Sequence, residues 1–270
     1  MVRKPPPSFV LEAFGVSGSP VPLEGGQGSS WLVGGAVFKP SALDLDEESL
    51  AWQAEVFAAT ACEGFRVSLP LRAENGAFVV EGWCASEAVE GRHEERRWAE
   101  IIAVGERFHA ALAGVPRPEF FAHRTDPWSV ADRVAWGEVS AGEFAHVKHL
   151  PRLVSALNPI STPSQLIHGD LGSNVLFDDQ LPPAVIDFSP RWRPPAFASA
   201  IVVADALVWE GADESVLDAV AHRENISRYL VRALIYRAVT DRLFRLDEPI
   251  RPDDDDPYLP AVELACRLAA

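Results

Sequence analysis

Between Leu166 and Pro190 the chain reads LIHGDLGSNVLFDDQLPPAVIDFSP, with runs of Leu, Ile, Val and Phe broken by a carboxylate, an amide and a second carboxylate. The apolar runs have strand composition and call for burial. Asp170, Asn174 and Asp187 therefore stand beside surfaces that the fold removes from water. A carboxylate placed there is costly unless a metal, a proton or a hydrogen bond compensates it. Any fold that accommodates this stretch must bring such a group to it.

The rest of the chain shows what surrounds it. A length of 270 residues allows one large domain or two lobes, and no internal repeat is visible. Residues 1–20 are a Pro/Gly/Ser-rich lead-in. EGGQGSSWLVGGAVFKP (24–40) places glycine clusters on both sides of a short apolar run, as in a hairpin with a glycine-rich turn. The segment from Asp44 to Ala61 has an acidic start and helical spacing at Leu50, Ala54, Phe57 and Ala58, with its negative charge at the favourable end of the helix dipole. Residues 66–88 read as two strands joined at Glu74-Asn75-Gly76. Residues 93–115 read as a long helix with a stripe of Trp98, Ile101, Ile102, Val104, Gly105, Phe108 and Leu112. Helical patterns follow at Phe197–Glu210, Ser215–His222 and Ile226–Leu246, then an acidic linker and a last short helix. This order predicts an α+β chain: a small sheet-plus-helix lobe over 1–84, a hinge at 85–91 and a larger, mostly helical lobe over 92–270.

Charge narrows the function. With 24 Lys and Arg against 39 Asp and Glu, the formal net charge is −15. Nucleic acid is thereby disfavoured, because phosphate neutralisation needs a basic face. Long-range attraction of a cationic small molecule is compatible with it, as is plain solubility. Cys62, Cys84 and Cys266 form neither a disulfide framework nor a zinc spacing, and the histidines at 123, 146, 149 and 222 show none either. No export signal is visible, and the most apolar segment, FASAIVVADALVW, is too short for a bilayer span and carries Asp205. The expectation is a cytoplasmic protein without a membrane partner.

His168-Gly169-Asp170, then Asn174, then Ile186-Asp187-Phe188 resembles the catalytic and metal-binding signature of the aminoglycoside phosphotransferase family, within the protein-kinase-like superfamily. The resemblance runs through nearly the whole chain in order. The tail DFSPRWRPPAFASAIVVADALVW further resembles an actinobacterial branch of that family. What the resemblance implies is a bilobal protein-kinase-like fold, ATP, Mg²⁺ and phosphoryl transfer to a hydroxyl of a small molecule. The chemistry agrees, since this reaction needs neutralised phosphates and a positioned nucleophile more than covalent help. Asp170 suits the role of accepting or orienting the hydroxyl proton. Asn174 and Asp187 offer the hard oxygen ligands that magnesium prefers. The family places its asparagine five residues after the aspartate; here the interval is four.

Upstream, the resemblance assigns Lys39, closing the strand AVFK, to the α- and β-phosphates. It assigns Glu55, sixteen residues on, to hold that lysine, with Glu47 and Glu48 as rivals better suited to the helix dipole. Gly25, Gly26, Gln27, Gly28 and Ser29 would fold over the nucleotide with backbone N–H groups facing phosphate. Trp83, Cys84 and Ala85 resemble the interlobe connector whose backbone bonds adenine, with Trp83 equally suited to packing. His168 is expected to bond loop backbone, His109 to lie in the core, and Asp205 to accept backbone N–H bonds from the catalytic loop. Arg191-Trp192-Arg193 and Trp209 either line the substrate approach or pack, and Asp253–Asp256 either attract an aminosugar or form a solvated tail. The acceptor is not fixed by fold: aminoglycosides, sugars and amino alcohols all qualify. A nucleotide-binding regulator that transfers nothing, and an enzyme that transfers AMP, use the same residues.

Overall fold

A computed structural model describes residues 4–23, 28–42, 45–245 and 256–270. The chain forms two compact units: Met1–His93 with Leu176–Asp187, and Glu94–Val175 with Phe188–Ala270. The first unit thus extends past the expected boundary at 84 and takes back a second stretch of chain.

In the first unit, helix α1 (Ser8–Ala13) opens the lead-in that composition reads as irregular. Its Val10 and Leu11 are buried with Phe14, and the Phe14 ring meets Phe38 edge-on at 5.6 Å. Strands β1 (Val21–Pro22), β2 (Trp31–Val33) and β3 (Ala36–Pro40) form an antiparallel meander. Gly34 and Gly35, at φ +51° and +86°, make the β2–β3 turn. A Cβ on Gly34 would lie 2.4 Å from the Ser17 carbonyl oxygen, so the turn admits no larger residue. Helix α2 (Glu47–Ala59) starts at Asp46, whose carboxylate accepts from Ser49 N at 2.8 Å, with Glu47 and Glu48 in the first turn. The Glu47 carboxylate also accepts from Phe78 N and Val79 N, which ties the helix to the sheet.

Strands β4 (Arg66–Val67), β5 (Val79–Val80) and β6 (Trp83–Glu87) follow. The hairpin pairs β5 with β6 across Glu81-Gly82, both at positive φ, and not across Asn75-Gly76. Asn75-Gly76 instead makes an isolated reversal, closed by Ala73 N donating to Ala77 O. The five-stranded sheet has the order β1-β2-β3-β6-β5, which puts β6 inside it.

In the second unit, α3 (Trp98–Ala111) buries Ile101, Ile102, Val104, Gly105 and Phe108 of the expected stripe, with Leu112 buried just past its end and Trp98 half-buried at its start. Helices α4 (Pro127–Ala135) and α5 (Leu150–Ser155) lead to strand β7 (Gln165–His168). The chain next passes through the hairpin of β8 (Val175–Leu176) and β9 (Ala184–Val185), the latter parallel to β4. It returns as β10 (Pro190–Arg193), antiparallel to β7 with His168 opposite Pro190. Then come α6 (Pro195–Trp209), α7 (Ile226–Phe244) and α8 (Tyr258–Ala269). Helix α7 packs against α4, α6 and α8 and is buried continuously from Tyr229 to Thr240, its arginines 232 and 237 included. No helix among the described residues is long and apolar enough to cross a membrane.

Candidate active site

Strand β7 delivers the loop that carries Asp170, and buried side chains fix that loop from below. His109, on α3, accepts from His168 N at its Nε2 (3.0 Å), while its carbonyl accepts from Gln165 Nε2 (2.6 Å). Burial, with His168 and Arg223 adding to it, lowers the His109 pKa to about 3, so the ring stays neutral and can accept. His168 is fully buried and its Nδ1 accepts from Asp170 N at 3.0 Å. Both histidines therefore shape the loop: His168 bonds its backbone as expected, and His109, expected in the core, is buried and also holds it. Gly169 donates to Ser189 O at 2.8 Å, and a Cβ there would lie 2.7 Å from Arg191 Cγ. The loop sits tight against β10.

Asn174 folds onto this loop despite the shortened spacing. Its Nδ2 donates to the Asp170 carbonyl at 2.6 Å and reaches Asp170 Oδ2 at 3.3 Å. Those contacts use the amide nitrogen and leave Oδ1 as the acceptor outside them. On the other side Arg237, from α7, bridges two carboxylates. Its Nη2 donates to Asp170 Oδ1, and its Nε and Nη2 donate to Asp205 Oδ1 and Oδ2 at 2.7 and 2.5 Å. The Asp205 and Arg237 side chains are 11% and 8% exposed, whereas that of Asp170 is 39% exposed. Asp170 is thus clamped at Oδ1 while its side chain remains part-exposed.

Electrostatics separates the two carboxylates. Burial pushes Asp170 upward, but the Arg237 guanidinium outweighs it, helped by His168 and Arg191, and the net pKa lies below the ordinary value. Asp205 is shifted the other way, to about 6, because burial dominates and the Asp170 charge opposes its ionisation despite Arg237. Asp205 was expected to accept backbone N–H groups of the loop. The donor is instead a guanidinium, since a carboxylate this deep beside a second one needs a full countercharge.

The first unit holds the second part of the signature. Lys39 Nζ lies 2.7 Å from Asp187 Oδ2, with side chains 24% and 43% exposed. Lys39 stands on β3 opposite Cys84 of β6, and Asp187 follows β9 at φ +50°. Glu55 is not brought to this lysine. The inward face of α2 is Ser49, Leu50, Gln53, Val56 and Phe57, and the helical phase turns Glu55 to the exposed face. Trp83, Cys84 and Ala85 also differ from expectation. They lie within β6 between β3 and β5, Cys84 and Ala85 are buried, Trp83 packs on the core, and the Ala85 carbonyl accepts from Leu71 N. Their backbone is spent on the sheet, so they hold the fold rather than a base. Gly28 is buried at φ +66°, and Ser29 is half-buried beside it. Gly25, Gly26 and Gln27 lie outside the described residues.

Among the described residues no three of His, Cys, Asp or Glu gather as a metal cage. The donors present suit magnesium nonetheless, because that ion takes one or two protein oxygens and completes its shell with water and phosphate. Asn174 Oδ1 in the second unit and the half-exposed Asp187 carboxylate in the first are each, taken singly, a donor of that kind.

Of the residues that sequence reading left open, Arg193 binds Asp132 and Glu138 and lies over the Trp136 ring, while Arg191 is buried. Trp209 is 49% exposed. Asp256 is bound by Lys148 and His149 and accepts from Tyr258 N at the start of α8, so it is a structural residue. The rest of the acidic run, 253–255, lies outside the described residues. Arg237 was missed; its only signal is that it is one of two arginines, with Arg232, inside the otherwise apolar YLVRALIYRAV.

Comparison with known proteins bears on the fold and the family. A thermostable mutant of aminoglycoside phosphotransferase APH(4)-Ia in its apo form aligns over 97% of this chain and 99% of its own, with a TM-score of 0.59 and 17% identity. Amicoumacin kinase hAmiN, in complex with AMP-PNP, Ca²⁺ and Ami, aligns over 97% and 92% with a TM-score of 0.63 and 11% identity. Spectinomycin phosphotransferase APH(9)-Ia, in complex with ADP and spectinomycin, aligns over 97% and 95% with a TM-score of 0.56 and 12% identity. At such identities these matches establish the α+β, protein-kinase-like fold. No curated protein sequence matches. The family described as the APH phosphotransferase enzyme family matches residues 21–235, most of the chain, and the protein belongs to that family of small-molecule phosphotransferases.

Proposed function

We propose that the protein transfers the γ-phosphoryl group of ATP, with Mg²⁺, to a hydroxyl of a small molecule. The observation that carries this reading is the state of Asp170: ionised, clamped at Oδ1 by Arg237, in a longer contact with Asn174 Nδ2 at Oδ2 (3.3 Å), and still 39% exposed. An alcohol is oriented by donating to Oδ2. As its oxygen bonds to phosphorus and the bond from the γ-phosphorus to the β,γ-bridging oxygen breaks, the hydroxyl proton passes to Oδ2 and ADP departs. A carboxylate of low pKa is a weak base, which suits a loose transition state in which positioning matters more than early proton removal.

The other roles follow from residue chemistry. Lys39 supplies a compact positive charge for the nucleotide phosphates. Bound magnesium would neutralise triphosphate charge, with Asn174 and Asp187 as its protein ligands. Gly28 and Ser29, with the glycines before them, belong to the segment assigned to the phosphates. The ADP and AMP-PNP in the solved relatives support an adenine nucleotide as donor.

The test uses purified protein, Mg²⁺ and a pool of small-molecule alcohols, with ATP labelled in parallel at the γ- or the α-phosphate. Label from the γ-position should enter an acceptor, and chelation of the metal should stop it. Incorporation from the α-position would mean nucleotidyl transfer and would overturn the proposal, as would full activity in EDTA.

A further inference from the structure

We infer that the acceptor is held through an anionic group, a carboxylate or a phosphate monoester, in an arginine-lined cavity of the second unit; the acceptor assignment rests on Asp170 facing the acceptor hydroxyl. The cavity measures about 230 Å³ and is lined by Arg117, Arg124, Arg133, Arg191 and Arg193 together with Asp132 and Glu138. Five guanidinium groups against two carboxylates give the lining a formal excess of three positive charges. On a chain of net charge −15 this is a local reversal of sign. Both carboxylates are taken by Arg193, whose Nη2 and Nη1 each lie 2.6 Å from Asp132 and Glu138.

Rings, carbonyls and a nearby carboxylate position these arginines. Arg124 lies over the Phe120 and Phe121 rings at 5.1 and 4.9 Å. Arg133 Nη1 donates to the Arg124 carbonyl at 2.7 Å, and Arg191 Nη1 to the Pro190 carbonyl at 2.8 Å. Asp126 Oδ1 stands 4.0 Å from Arg191 Nη2, but its oxygens accept from Ser129 N and Oγ. Arg124 and Arg191 are 8% and 4% exposed. Planar guanidinium forks lining a cavity match carboxylate and phosphate oxygens.

Size and place narrow the ligand. Sites for drug-sized molecules span roughly 300–1,000 Å³, so this cavity suits an anionic group with a few carbons rather than a large aminosugar. Arg191 also packs against Gly169, the residue before Asp170, so one wall serves both cavity and catalytic loop. The −15 of the whole chain would steer cations towards the protein; the cavity selects the opposite charge at close range.

Calorimetric titration with inorganic phosphate, glycerol phosphate and glycerate decides the matter, using wild type, Arg117→Gln, Arg133→Gln and Lys39→Ala, each titrated with ATP as well. Arg117 is on the surface, so its variant tests the cavity without threatening the fold. Expected is binding of at least one anion class, weakened about tenfold by either arginine substitution and little changed by Lys39→Ala. The preferred probe then distinguishes a phosphate ester from a carboxylate. Binding lost in Lys39→Ala but kept in Arg117→Gln and Arg133→Gln would place the anion at the nucleotide site and overturn the inference, as would no anion binding at all. ATP binding intact while the anions fail sinks this inference alone; anions bound with no ATP binding sinks the phosphotransferase reading and leaves the anion site standing.

Discussion

Asp170 and Asp205 share one guanidinium yet differ in what acid does to them. Asp170 lies below the ordinary carboxylate range, so it stays ionised well into acid. Asp205, pushed up to about 6 by burial, is the first of the two to take a proton as the pH falls. Protonated Asp205 no longer offers Arg237 an ionic partner, and the clamp on Asp170 loses its rear anchor. The sign follows: kcat should be full well above pH 6 and decline, as pH falls, through an inflection near 6, not near 4. The Asp205→Asn enzyme should lack that inflection and show a low, flat acid limb. An inflection that persists unchanged in Asp205→Asn would assign it to another group. At this scale the sequence was legible where partners are close in the chain. Asp170, Asn174, His168 and Gly169 organise one another within a few residues, and their residue types declare the chemistry. Arg237 lies 67 residues beyond Asp170, and nothing local connects the two.

Among elements, α7 decides how well the site is held. It is a buried helix that carries a charge into the core, and that charge is compensated by carboxylates from α6 and from the loop after β7. Removing one partner of a buried pair costs about 3–5 kcal/mol because the other charge is stranded, whereas replacing the pair by apolar residues is often neutral. Arg237→Met should therefore destabilise the protein by about that amount in denaturant unfolding. The double variant Arg237→Met/Asp205→Leu should recover most of the stability but not kcat, since Asp170 still lacks its clamp. Recovery of both would reduce Arg237 to a packing residue. Other element-level readings turned on phase and neighbours. Glu55 has a plausible spacing from Lys39, yet two positions of helical phase separate it from the inward Gln53. Trp83–Ala85 read as a connector, because sequence does not show that β6 has strands on both sides. The turn at Asn75-Gly76 is real, but the residues before it do not pair with those after it as strands.

For the whole molecule, the order of sheet, helices, loop and hairpin was readable, but the discontinuity was not. The hairpin at Leu176–Asp187 belongs to the unit that begins at the N-terminus, because β9 pairs with β4 across more than a hundred residues. The signature is thereby divided. Lys39 and Asp187 stand in the first unit, and Asp170, Asn174 and Arg237 stand in the second. In the function proposed above, that division gives the charge meant for phosphate to one unit and the carboxylate meant for the hydroxyl to the other. Loss of the second should leave the first intact. The measurement that bears most directly on this account is turnover and Mg-ATP affinity, side by side, for wild type and Asp170→Ala with an accepted alcohol. The account predicts that kcat falls by roughly a hundredfold or more while nucleotide affinity stays within about twofold. Undiminished turnover in Asp170→Ala would contradict it.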